Sequence, residues 1–373
     1  MNPYSVRSIT INGREVEISD ILNGLASPLS GFESVTFSFI QKWFSGIETF
    51  IQRTSGTTGM PKAITITRQQ MIASAQLTEQ ALQLKSGDTA LVCLDPEYIA
   101  GKMMLVRSFI TGMKVIAISP SRNPFHELPP AISIDFTALV PLQLYELIQS
   151  GEANRLNTIK NLIVGGAELN KEAQKKLAKF SCNIYASYGM TETISHIALQ
   201  RVNGATASEY FAVLPGIKIR NDERGCLEIE ASYLEKKITT NDLVEIKDAS
   251  RFKWLGRSDN MINSGGIKVI PEKIEAEIQI LFDSLKINNR FLISSIPDSR
   301  LGNKIILVIE GVLQHDLIKD IKSHLKQKLA PHEVPKEFCM NVDLILSGNG
   351  KINRLATTQK LLNQNNLYIK NDL

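Results

Sequence analysis

Cysteine is scarce in this chain of 373 residues: Cys93, Cys182, Cys226 and Cys339 stand far apart, and no C-x-x-C pair occurs. Neither a zinc site nor a disulfide framework is suggested. Long apolar runs are missing as well. No stretch approaches ~18 consecutive apolar residues, and the opening MNPYSVRSITINGREVEISD holds no apolar segment of the kind a secretory leader needs. Charge of one sign is not concentrated: 42 Lys+Arg against 38 Asp+Glu leave +4, with no Lys/Arg run of five or more. Nucleic acid and membrane surfaces are therefore poor partners. Together these absences make a soluble, reduced, cytoplasmic protein the expectation.

What is present is enough apolar material for a real core, 43% of the residues against 21% charged. The length exceeds one ordinary domain of ~100–200 residues. Short β-branched runs, TALVCLD (89–95), KVIAIS (114–119), FTALV (136–140) and NLIVGG (161–166), read as buried strands. Between and around them, residues 68–84, 141–150 and 170–180 carry apolar positions at helical spacing. Strand then helix, repeated, predicts an α/β fold with mostly parallel strands covered by helices. After about residue 205 alternating segments with turn signals predict antiparallel β structure. Beyond them, two amphipathic helices flank RFLISSIPDSRLGNKIILVIEGVL, a strand–loop–strand. The polar, Gly-bearing LGRSDNMINSGG (255–266) is the best boundary. The expected division is a large domain over 1–258 and a small α+β domain over 259–373.

One short stretch invites a ligand. RTSGTTGMPKAI (53–64) places Thr54, Ser55, Gly56, Thr57, Thr58, Gly59 and Lys62 close together. Two glycines let backbone N–H groups converge, the hydroxyls add donors, and the lysine adds charge. Such a loop, entering a helix near Thr67, suits a phosphate or pyrophosphate; an ordinary Gly/Ser/Thr turn is the alternative. A Walker A loop does not fit, because Pro61 precedes Lys62 and Ala63 follows it, where the motif needs Gly and Ser/Thr.

Further motifs follow in order: YGMTET (188–193), TTNDL (239–243), GRSDNMINSGGIKVIPEKIE (256–275) and GNGKINR (348–354). With TSGTTGMPK, their order and spacing resemble the adenylate-forming superfamily of acyl- and aryl-CoA synthetases, luciferases and peptide-synthetase adenylation domains. The resemblance runs from residue 50 onward. It implies that a carboxylic acid attacks ATP to give an acyl-adenylate and pyrophosphate, and that the thiol of coenzyme A then displaces AMP. In that scheme the 54–62 loop grips the β- and γ-phosphates, Glu192 holds Mg²⁺ and Thr191 contacts the α-phosphate. Gly165, Gly166, Ala167 and Tyr188 line the adenine, and Asp242 and Arg257 meet the ribose. Lys351 stabilises charge on the α-phosphate. Asp259 matches the family's hinge, and Gly265 and Gly266 would admit the thiol arm beside backbone. Asn241 departs from the family's T-G-D.

About fifty residues precede the phosphate loop, fewer than is common in the superfamily. Such trimming resembles o-succinylbenzoate–CoA ligases of menaquinone synthesis, as do EYIAGKMMLVRSF (97–109) and YGMTETISHIAL (188–199). Tyr98 stands where many of those relatives carry His. An aromatic dicarboxylate would need cationic or hydrogen-bonding partners, and Lys102, Arg107, Ser195 and His196 are the candidates. The competing readings are another aryl- or acyl-CoA ligase, an adenylation enzyme that loads a carrier protein, and a nucleotide-binding protein that has lost catalysis.

Overall fold

The computed structural model describes residues 6–53, 63–166, 169, 171–346, 352–363 and 369–372. Its main feature is one large mixed sheet, with thirteen strands among the described residues. The parallel part runs in the order Asn183–Gly189, Ile159–Val164, Ile134–Leu139, Thr89–Val92, Lys114–Ala117. Ser8–Ile11 joins the far side in parallel and pairs with Arg14–Glu17 at the edge. Four of these, Ile159–Val164, Ile134–Leu139, Thr89–Val92 and Lys114–Ala117, are the β-branched runs of the sequence, and they are largely buried, as a helix-covered parallel sheet requires. The helices Arg68–Leu82, Ile99–Thr111 and Pro141–Gln149 supply the cover.

The antiparallel part begins earlier than the composition shift near 205 suggested. His196–Arg201 already turns back antiparallel along Asn183–Gly189, with a bulge between His196 and Ala198. It reads as one more buried run, so only its partner gives away its direction. Phe211–Val213, Arg251–Arg257, Ile238–Asp248, Cys226–Glu230 and Lys218–Asn221 continue the same sheet. Parallel and antiparallel halves are thus one continuous surface.

A second difference concerns the phosphate-type loop. Residues 54–62 do not lead straight into a helix: Thr49–Arg53 and Ala63–Thr67 flank them as an antiparallel pair, with Arg53 opposite Ala63. Only after that second strand does Thr67 cap the helix Arg68–Leu82, through a reciprocal capping box with Gln70. The alternation in AITIT is strand chemistry, and it separates the loop from the helix N-terminus by five residues.

The apolar clusters of this part reach Phe252, and a separate cluster begins at Ile262. In the latter region the strands Phe291–Asp298 and Gly302–Ile309 pair along their full length, flanked by the helices Pro271–Ser284 and His315–Lys328. Among the described residues no helix is long and apolar enough to cross a membrane.

Candidate active site

Ligands of open α/β sheets gather beyond the carboxyl ends of the parallel strands, and several candidates lie there. Val164 pairs with Ala186, which sets Gly165 beside Ser187 and Tyr188. A Cβ at Gly165 would fall 2.6 Å from Ser187 Oγ, so glycine is what lets these two strand ends approach. Gly166 follows with φ +97°.

Tyr188 connects this edge to the antiparallel strands. Its ring stands edge-on to Phe252, 5.1 Å between centroids. Its hydroxyl donates to Asp242 Oδ2 at 2.6 Å. Burial, then the adjacent Asp242 carboxylate, raise the phenol pKa well above the usual tyrosine range. Asp242 also accepts from Trp254 Nε1 at 3.3 Å, and Arg257 Nη1 lies 3.6 Å from its Oδ1. The register that opposes Asp242 to Arg257 produces this meeting. Arg257 aims its fork elsewhere, donating from Nε and Nη2 to Asp259 at 2.9 and 2.7 Å. Burial would raise the Asp259 pKa, but these bonds outweigh it and hold the carboxyl below its usual range. Tyr188, Asp242, Arg257 and Asp259, named separately from the sequence, therefore form one connected chain of side chains.

Beyond Tyr188 the backbone tightens into the single turn Thr191–Thr193. Thr193 Oγ1 accepts the Met190 N–H at 2.9 Å and donates to Ser195 O at 2.7 Å. Ile194 is held at φ +69°, a strained value for a β-branched residue and of the sort found at functional sites. Gly189 permits the fold-back, since a Cβ there would come within 2.4 Å of His196 Cα and Ser195 O. Glu192 projects from this turn exposed, with no hydrogen-bond or ion-pair partner among the described residues. Among the described residues no group of three or more His, Cys, Asp or Glu converges as a metal cage. An open carboxylate of this kind suits a hard cation whose other ligands come from phosphates and water.

Behind the turn lies a buried basic cluster. Arg107, 3% exposed, comes from the helix Ile99–Thr111. It donates from Nε to Thr78 Oγ1 at 3.1 Å and from Nη2 to Ser195 Oγ. His196 Nδ1 lies 3.4 Å from the same Nη2, and its Nε2 lies 3.2 Å from Thr78 Oγ1. Its hydrogen-bond partners Thr78 and Ser195 are neutral hydroxyls, and no carboxylate among the described residues pairs with it. Burial pulls the Arg107 pKa down to about 9. Burial, then Arg107, push His196 well below the ordinary imidazole value, which favours the neutral ring. Thr78 was not foreseen. Its signal is a polar residue on the buried face of a helix, where it lies with Ser74 among Met71, Ala75 and Leu82.

The other candidates do not join this cluster. Lys102 Nζ donates to Gln52 Oε1 at 2.7 Å, and Gln52 Nε2 donates to Glu97 O at 3.0 Å. Burial, then Lys42, lower the Lys102 pKa. Gln52 sits two residues before the 54–62 loop, so Lys102 braces the loop's approach. Tyr98 precedes the same helix and is 66% exposed. Gly265 and Gly266 form the turn of the hairpin Ile262–Ser264 and Ile267–Val269, with φ +61° and +82°, the pattern of a tight hairpin turn. Thr54, Ser55, Gly56, Thr57, Thr58, Gly59, Lys62, Ala167 and Lys351 lie outside the described residues.

Comparison with known proteins gives the family and the fold. Residues 48–229 match the family described as AMP-binding enzyme. The chain is 39% identical to an acyl-CoA synthetase (AMP-forming)/AMP-acid ligase II-like protein from Dyadobacter fermentans. That similarity covers 91% of this chain and 97% of the other, with a TM-score of 0.61. It is 26% identical to the 2-succinylbenzoate–CoA ligase of Salmonella typhimurium, over 82% of this chain and 67% of that one. The fold is also similar to that of o-succinylbenzoate coenzyme A synthetase from Bacillus subtilis in complex with ATP and magnesium. There the TM-score is 0.68 at 20% identity, over 83% of this chain and 69% of that one.

Proposed function

The chain belongs to the AMP-binding family of adenylate-forming acid–CoA ligases, and from that premise we propose that it activates an aromatic dicarboxylate, best o-succinylbenzoate, with ATP and transfers it to CoA. The observation that carries the substrate is Arg107, a buried guanidinium beside neutral Thr78, Ser195 and His196 with no carboxylate among the described residues to match it. A buried cation is costly unless paired. A second carboxylate on the substrate supplies the missing charge and accepts two hydrogen bonds from the fork. The names of the Salmonella and Bacillus relatives point to the same acid.

The nucleotide side rests on Asp242 and on the motif roles. Asp242 spends part of its accepting capacity on Tyr188 and Trp254. A carboxylate has about four lone-pair sites, which leaves room for ribose hydroxyls, with Arg257 alongside. Thr191 would meet the α-phosphate, and the 54–62 loop with Lys62 the outer phosphates. Glu192 would hold Mg²⁺, which neutralises triphosphate charge when bound. Lys351 would stabilise the α-phosphate during attack. The adopted division is 1–258 and 259–373, with Asp259 as the pivot and Gly265–Gly266 on the thiol side. The break between apolar clusters around residues 252–262 supports it.

The test is ATP- and CoA-dependent thioester formation over a panel of acids, read by mass spectrometry and pyrophosphate release. We expect o-succinylbenzoate to exceed benzoate and acetate by at least about tenfold, roughly 1.4 kcal/mol of discrimination. Equal turnover of benzoate would remove the dicarboxylate assignment while leaving acid–CoA ligation standing. No pyrophosphate release with any acid would indicate a nucleotide-binding protein without catalysis.

Glu192→Gln keeps the shape of the side chain and removes its charge. Adenylation at limiting Mg²⁺ should fall about tenfold or more, the scale of a lost ligand at a phosphoryl site, and recover partly at high Mg²⁺. A magnesium titration of the initial rate checks this. An unchanged titration curve would show that Glu192 is not a ligand.

A further inference from the structure

A second basic concavity lies away from the site described above. It is a cleft of about 310 Å³ where the end of the helix Arg68–Leu82 meets the starts of Ile159–Val164 and Asn183–Gly189 and the end of His196–Arg201. Lys85, Lys160 and Arg201 line it, and no acidic residue does. No carboxylate among the described residues forms an ion pair with any of the three side chains, and Asp88 accepts only the backbone N–H of Lys85, at 2.9 Å.

The polar groups between these cations are set as donors. Arg201 is anchored by Nε to Asn203 O at 2.8 Å and by Nη1 to the Tyr185 hydroxyl at 3.2 Å. Its guanidinium also lies over the Tyr185 ring, 5.1 Å from the centroid. That leaves Nη2 without a hydrogen-bond partner among the described residues. Asn161 is only 3% exposed. Its Oδ1 accepts from Asn183 Nδ2 at 3.0 Å, and its own amide nitrogen has no partner among the described residues. A buried amide with an unused donor, bordering a cleft with three unneutralised cations, is an arrangement for an anion.

We infer that this cleft binds a small phosphate-bearing anion of at least two negative charges, at a site separate from the nucleotide site. Separation follows from the strands themselves. Asn183 and Tyr188 lie five residues apart on one strand, which at about 3.3 Å per residue is ~16 Å. Shared elements couple the two places. The helix that carries Thr78 reaches the cleft one turn later at Ala81 and Leu82. The strand that begins at His196 ends at Arg201. Concavity favours a small molecule over a nucleic-acid backbone, which would want an open basic stripe.

The test uses inorganic pyrophosphate as the probe and calorimetry as the readout. The nucleotide site is first saturated with a non-hydrolysable ATP analogue and Mg²⁺, which also fills the outer-phosphate positions assigned to the 54–62 loop. The wild-type chain should still bind one equivalent of pyrophosphate, more weakly as salt rises. Lys85→Gln/Lys160→Gln, two exposed changes that leave the fold alone, should weaken that binding at least tenfold. The double variant should keep basal thioester formation within about twofold. Arg201→Gln should weaken binding similarly, and circular dichroism would show whether its packing survives. Absence of pyrophosphate binding to the blocked wild type, or equal affinity in the double variant, would overturn the inference.

Discussion

Lys351→Ala should slow acyl-adenylate formation by roughly 10²-fold or more, while thioester formation from preformed adenylate and CoA stays close to normal. Negative charge builds on the α-phosphate and the departing pyrophosphate as the acid attacks. A fixed ammonium there, in a site drier than bulk water, is worth what one electrostatic stabiliser is typically worth, 10²–10³ in rate, about 3–4 kcal/mol. The second half-reaction expels AMP, a good leaving group, and on the proposed scheme the small domain has by then turned on Asp259 and carried Lys351 away. The measurement is single-turnover adenylate formation beside single-turnover thioester formation, each in wild type and variant. Lys62→Ala should instead weaken ATP through the outer phosphates. Equal slowing of both half-reactions by Lys351→Ala, or of neither, would take the assignment away from this lysine.

Arg107→Met should lower kcat/KM for o-succinylbenzoate by about 10²-fold and that for benzoate by less than about threefold. The variant removes one partner of a buried charge pair formed only in the complex, a loss of about 2–5 kcal/mol. Benzoate brings no second carboxylate and has little to lose. Stability should move the other way. The free protein carries a desolvated guanidinium among neutral hydroxyls and a neutral imidazole. Removing an unpaired buried charge relieves its desolvation cost, so Tm should hold or rise. The pH dependence has the same origin. Burial lowers the folded pKa to about 9 from 12.5, so folding disfavours the protonated form. The cost is fully present below about 9 and is relieved as pH rises toward 12.5. Arg107→Met should lack that component in urea unfolding followed against pH. A fall in both acids alike, with a lower Tm, would mark Arg107 as a packing residue.

Much of the framework was legible because local chemistry and global position agree. The runs at 89–95, 114–119, 136–140 and 161–166 are β-branched and largely buried, so burial and propensity point the same way. The Tyr188, Asp242, Arg257 and Asp259 chain could be named from motifs, although the sequence says nothing of their hydrogen bonds. What escaped depended on pairing over distance. The direction of His196–Arg201 is set by Asn183–Gly189. Ala63–Thr67 is a strand because Thr49–Arg53 is there to receive it. Trp254 reaches Asp242 only through strand register. Lys102, named beside Arg107 as a candidate partner of the acid, turns to Gln52, whereas Thr78 comes to Arg107 from a neighbouring helix.

Arg53 and Ala63 face each other across an antiparallel pair, which holds their α-carbons about 5 Å apart. The nine positions between them, 54–62, therefore leave and rejoin the fold through one narrow gate. The ring is closed by strand hydrogen bonds, whatever lies inside it. Closure entropy varies only as the logarithm of ring size, so one added residue would change it by about 0.1 kcal/mol. Length is thus nearly free to drift, and a constraint on this segment must come from its hydroxyls, glycines and lysine, acting on something brought to them.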